Sequence, residues 1–135
     1  MKQSLPGIIA IYTVPCALLS PNIVEKHIAG VPVGIFPLPT AIEHYGNAEC
    51  NAEQEYDNGG YSEKTVLQFT TTEEISRVAP IAFVVTDANS QSYVIGTKEA
   101  PFPMVEITKS VDKEENVFHV KVTFQNRKSL IPCAI

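Results

Sequence analysis

Between Ala48 and Thr71 small or apolar residues alternate with charged and amide ones, and the two halves of the stretch mirror each other about Asn58-Gly59. Asn-Gly is the favoured pair for a two-residue type I′ hairpin loop, because both positions need positive φ. A turn there sets Tyr56 opposite Tyr61, Ala52 opposite Thr65, Cys50 opposite Leu67 and Ala48 opposite Phe69 on one face. The other face carries Glu55 against Ser62, Glu53 against Lys64 and Glu49 against Gln68. A slip of one residue would exchange the faces, so the pattern predicts one long antiparallel hairpin arm over 48–71, with an apolar side and an acidic side.

The same alternation returns in Val117 to Phe124, where Phe118, Val120, Val122 and Phe124 share one face and His119, Lys121 and Thr123 the other. With Met104 to Lys109 and the charged tip Asp112 to Asn116 it predicts another hairpin. Ile81 to Thr86 and Tyr93 to Gly96 read as strands joined through the polar turn Asp87-Ala88-Asn89-Ser90. Six of the ten prolines fall within the first 40 residues, which predicts short strands, sheet edges and irregular connections there. Helix signals are confined to two places. Ser20-Pro21 leads into Ile23, Val24, His27 and Ile28 before Gly30, and Thr72-Glu73-Glu74-Ile75 precedes the stop at Pro80. The sum is a mainly β chain: an antiparallel sandwich or barrel of six to eight strands, with the hairpin arm and one or two short helices, in a single domain over 1–135.

Composition agrees with a packed domain. Hydrophobic residues make up 44% of the chain and charged residues 19%, which is globular rather than disordered. A formal net charge of -5 argues against a surface built for nucleic acid and makes a protein partner the better expectation. Lys2 followed by an apolar run through Leu19 imitates a secretory signal, and Cys16 stands where a lipoprotein box would have its cysteine. Pro15 occupies the place of the small residue that box needs, and Pro6-Gly7 interrupts the run, so Gly7 to Val14 reads as a strand of the fold. No uninterrupted apolar run reaches the roughly 18 residues of a membrane-spanning helix.

Candidate chemistry is sparse. Cys16, Cys50 and Cys133 are odd in number and far apart, so they read as reduced, small buried hydrophobes rather than as a disulfide framework. Cys50 with His44 or His119 would make a thiol nucleophile and base only if the fold brought them together. His27, His44 and His119 stand in different segments, none at a metal-ligand spacing. Glu49, Glu53 and Glu55, with Asp57, line one side of the arm. They could serve as an acid–base pair or a calcium site, but a flat strand does not wrap a cation, and a solvated edge face is the plainer reading. No catalytic, cofactor or metal residue is therefore assigned. Tyr56 and Tyr61 near the arm's tip, with Glu49, Glu53 and Glu55, are the expected interface.

The run Ala79 to Asp87, then Tyr93-Val94-Ile95-Gly96-Thr97 and Pro101-Phe102-Pro103, resembles segments of small β-rich structural proteins of phages and prophages of Bacteroides-type bacteria. In that family a strand, a turn, an aromatic–aliphatic–Gly-Thr strand and a proline–aromatic–proline bend precede a last strand. Val117 to Phe124 and the apolar tail Leu130 to Ile135 take that last place here. The resemblance implies a non-enzymatic virion subunit of the tail or neck, located in the virion and in the host cytoplasm during assembly. Its partners would be copies of itself in a homo-oligomeric ring and neighbouring virion proteins, with no cofactor, no sequence-specific nucleic acid and no membrane. In a ring, the acidic side of the arm would face the lumen and let DNA slide past. The alternative expectation is a soluble or exported β-barrel that binds a ligand or serves as an accessory protein.

Overall fold

The computed structural model describes residues 2–4, 7–19, 21–30, 40–57, 60–72, 80–98, 102–111, 116–126 and 129–133. Its strands are β1 (Lys2–Ser4), β2 (Ile8–Pro15), β3 (Thr40–Ile42), β4 (Tyr45–Asp57), β5 (Gly60–Thr71), β6 (Ile81–Asp87), β7 (Ser92–Ile95), β8 (Met104–Val111), β9 (Asn116–Asn126) and β10 (Ile131–Cys133). They form two five-stranded antiparallel sheets, β1-β4-β5-β9-β8 and β10-β7-β6-β2-β3. The sheets pack face to face as a sandwich, and neither closes into a barrel. The ten strands exceed the six to eight expected, because β1, β3 and β10 are only three residues each, too short to show a period.

Between the sheets, Cys50, Ala52, Leu67, Phe69, Val120, Val122 and Phe124 of the first meet Ile8, Ile11, Phe83, Val85 and Ile95 of the second. The Phe69 and Phe83 rings meet in a tilted arrangement, with centroids 6.2 Å apart. A second core lies on the far side of the second sheet. There Val14, Ala82, Val84 and Val94 are covered by Cys16, Leu19 and the helix residues Ile23 and Val24. Strand β6 is thus buried on both faces, with Ala82, Phe83, Val84 and Val85 all at 0% exposure, and this is why its sequence is a continuous apolar run.

The covering helix α1 spans Ile23–Ile28 and begins later than its sequence signals suggest. Its N-cap is Asn22, in the left-handed region at φ 58, rather than Ser20. Asparagine is among the few side chains that tolerate that conformation. Gly30, at φ +80, closes the helix and donates its N–H to the His27 carbonyl. Residues 73–79, which hold the other expected helix, lie outside the described residues, as does the tip at 112–115.

Candidate functional site

The arm pairs as its sequence predicts from Glu49↔Gln68 through Cys50↔Leu67 and Tyr56↔Tyr61 to Asp57↔Gly60, which leaves two residues for the turn. The Asn58-Gly59 turn itself lies outside the described residues. The expected pair Ala48–Phe69 is not made. The register shifts between Tyr45 and Glu49, and Thr70 faces Tyr45, so β4 spends extra residues in a bulge that contains Gly46.

The hairpin is built into its own sheet rather than standing free. Strand β9 runs beside β5 from Phe118↔Thr71 to Asn126↔Glu63, and β1 flanks β4 at Asn51 to Glu53. Among the described residues, Gln54 to Asp57 and Gly60 to Ser62 project beyond both neighbours. Tyr56 sits in this projection with 75% of its surface exposed, and Tyr61 stands opposite it in the ladder.

The three carboxylates expected at an interface do not form one acidic strip. Glu53 and Glu55 are near neighbours on the outer face at the projecting end, and Glu53 lies opposite Lys64. Gln125 bridges the hairpin there, its Nε2 donating to Glu55 Oε2 at 3.3 Å and to Ser62 Oγ at 3.0 Å. Glu49 lies in a separate row, Glu49–Gln68–Lys121–Glu106, which crosses four strands. This row and the adjoining Thr70, His119 and Thr108 line an open polar groove of about 290 Å³ on the outer face. Thr70 Oγ1 and His119 Nδ1 are hydrogen-bonded at 3.1 Å within it. Lys121 and His119 enter because β9 docks against β5, a neighbour that the hairpin sequence alone does not reveal.

The inner face holds a feature the sequence reading missed. Glu63, facing Gln54 across the ladder, is only 4% exposed. Its Oε1 accepts the backbone N–H groups of Ser129 at 3.0 Å and Leu130 at 2.8 Å, and the Ser129 hydroxyl at 3.2 Å. The Thr65 hydroxyl lies 2.5 Å from the Ser129 oxygen, completing a buried polar cluster between β5 and the approach to β10. The position of Glu63 on the apolar face of an alternating strand was the available signal. A lone carboxylate there must be paired to be buried.

The thiols lie in the two cores: Cys50 between the sheets, Cys16 and Cys133 beneath the helix. All three are free. Burial pushes Cys16 up to about 11 and Cys50 and Cys133 up to about 12, so each keeps its proton at neutral pH and is a poor nucleophile. Asp87, 2% exposed, uses Oδ1 to accept the N–H groups of Asn89 and Gln91, holding the β6–β7 turn. Among the described residues no group of three or more His, Cys, Asp or Glu side chains is placed to hold a metal ion, and no helix is long and apolar enough to cross a membrane. Comparison with protein-family models, with curated proteins and with solved structures returns no match for this chain.

Proposed function

We propose that this chain is a non-enzymatic structural subunit of a phage particle, a tail or neck component. In this reading it assembles with copies of itself and with neighbouring virion proteins through the projecting end of the β4–β5 hairpin. The observation that supports it is Tyr56, 75% exposed at the end of a ribbon that, among the described residues, outruns the strands on both sides. A large aromatic held out on a short ribbon brings contact area at small cost in side-chain entropy, as anchor residues of interfaces do. The buried reactive groups point the same way. The thiols are packed in cores, and the buried carboxylates Glu63 and Asp87 accept backbone N–H groups. In a ring, Glu53 and Glu55 at the projecting end would face the lumen, with Glu49 further along the same face.

The test is deletion of Glu55 to Ser62, bridged by a short turn, compared with wild type by analytical ultracentrifugation at matched concentrations. The expected result is a folded variant that no longer assembles. A wild type that stays monomeric and captures no virion neighbour would overturn the reading in favour of a ligand-binding sandwich.

A further inference from the structure

Four of the polar side chains lining the outer groove of the first sheet stand where the ladder is complete. Gln68 and Thr70 on β5, and His119 and Lys121 on β9, are each paired on both sides, so they project from a fixed backbone. Glu49 on β4 and Glu106 on β8 end the row, three strand spacings or about 14 Å apart. All six are exposed except Thr70, which is half-buried. The hydrogen bond with Thr70 engages Nδ1 of His119, which leaves Nε2 as the ring nitrogen open to a ligand. Phe69 and Val120 also line the groove, but their side chains belong to the core between the sheets, so they lend it backbone rather than an apolar wall.

We propose that this groove binds an uncharged disaccharide. The charge pattern decides against the other classes of small ligand. An anion drawn to Lys121 would meet Glu106 directly opposite and Glu49 two strands away, two carboxylates against one ammonium group. A metal ion needs its ligands gathered around it, and among the described residues no group of three His, Cys, Asp or Glu side chains is so placed. An apolar ligand would find no apolar side chain to cover it. A ring bearing many hydroxyls fits, because each hydroxyl both donates and accepts. The carboxylates of Glu49 and Glu106 accept pairs of neighbouring hydroxyls, Lys121 donates between them, and Gln68 and His119 serve in either sense. The volume of about 290 Å³, open along the row, suits two linked rings better than a single small ion. Held by hydrogen bonds alone in an open groove, such a sugar should bind with a dissociation constant of about 1 mM. The site includes Glu49 but none of the projecting end of the hairpin, so it does not depend on the assembly contact proposed above.

The experiment follows amide chemical shifts of isotope-labelled protein by NMR during titration with maltose, cellobiose, lactose and diacetylchitobiose, each to about 50 mM. Sodium phosphate and calcium chloride are the charged controls. At least one sugar is expected to give saturable shifts confined to the amides of 49, 68–70, 106–108 and 119–121, with no saturable response there to either salt. Gln68→Ala and Lys121→Ala replace exposed side chains, so both should keep the fold, checked by circular dichroism and Tm. Each should weaken sugar binding about fivefold, the loss of one hydrogen bond. Tyr56→Ser should leave sugar binding unchanged whether or not it alters assembly, so a failure of either reading shows separately. No saturable shift with any of the four sugars, shifts centred elsewhere on the molecule, or an affinity that neither Gln68→Ala nor Lys121→Ala weakens would each overturn the proposal. Saturable binding of phosphate or calcium in the groove would overturn it in favour of an ion site.

Discussion

Glu63 on β5 receives the backbone N–H of Leu130 at 2.8 Å, and this bond joins the first sheet to the segment that enters the second. The same oxygen takes two further donors from Ser129, so one buried carboxylate fixes where the chain crosses to β10. Replacement by alanine leaves two buried N–H groups without this acceptor, at a cost of about 2 to 4 kcal/mol in urea unfolding. Glu63→Gln keeps a carbonyl oxygen and should lose about half as much. Equal losses in the two variants would show that the negative charge, rather than the acceptor, is what the site requires.

Gly96 predicts a second sensitive point. It has φ +137, and a Cβ there would stand 2.6 Å from the Cβ of Ala82 and 3.1 Å from Cγ of Pro103. Ala82 lies in β6 at 0% exposure and cannot move aside. Gly96→Ala should therefore destabilise by about 2 to 4 kcal/mol, from backbone strain and overpacking together. Ala82→Gly should restore part of that loss in the double variant, which separates the steric share from the conformational one.

The buried thiols predict an alkaline limit to stability. Their folded pKa values of about 11 to 12 lie above the ordinary 9.0, so the folded state keeps protons that the unfolded chain gives up. Their contribution is fully present below pH 9 and is lost as the pH rises through the folded values. Tyr93 is shifted upward as well, by burial and by the charges of Asp87 and Cys50, and adds to the same slope. The urea midpoint should hold steady to about pH 8.5 and then fall. Cys50→Ala should cost about 1 to 3 kcal/mol near neutral pH, through the cavity it leaves, and flatten the alkaline decline. Native protein should resist alkylation at pH 8 and react only on unfolding.

How legible this molecule is in its sequence depends on the range of the interaction. The β4–β5 ladder could be read because its partners are joined by a two-residue turn and alternation penalises a slip. Ile81 to Val85 could be recognised as a strand, but not as the strand buried on both faces, since that requires the helix beyond it. Ala48 was set against Phe69 because alternation alone cannot register a bulge. Glu63 went unread because its partners Ser129 and Leu130 are 66 and 67 residues away. Lys121 was assigned to the correct face of β9, yet its alignment with Glu49 appears only when the two hairpins are joined at β5 and β9.

The last prediction concerns charge on that joined face. Glu49, Glu53 and Glu55 are exposed, and Glu55 accepts a hydrogen bond from Gln125 at 3.3 Å. Exchanging all three for lysine should leave the Tm close to that of wild type, because exposed ion pairs and surface substitutions carry little stability. The electrostatic consequence should be large, since these acids are a substantial part of an excess of only five negative charges. With Lys64 and Lys121 already on the same face, the variant presents a basic surface across β4, β5 and β9. Fluorescence anisotropy with a labelled duplex at low salt should then detect binding by the triple variant that weakens steeply with added salt, and none by wild type. Single reversals should rank by position. Glu53→Lys, opposite Lys64, should have the largest effect, because it places two cations side by side where an opposite-charge pair stood. Wild-type binding to the duplex would contradict the idea that this face keeps DNA at a distance. A triple variant that fails to bind would show that the remaining acids, not these three, set the potential there.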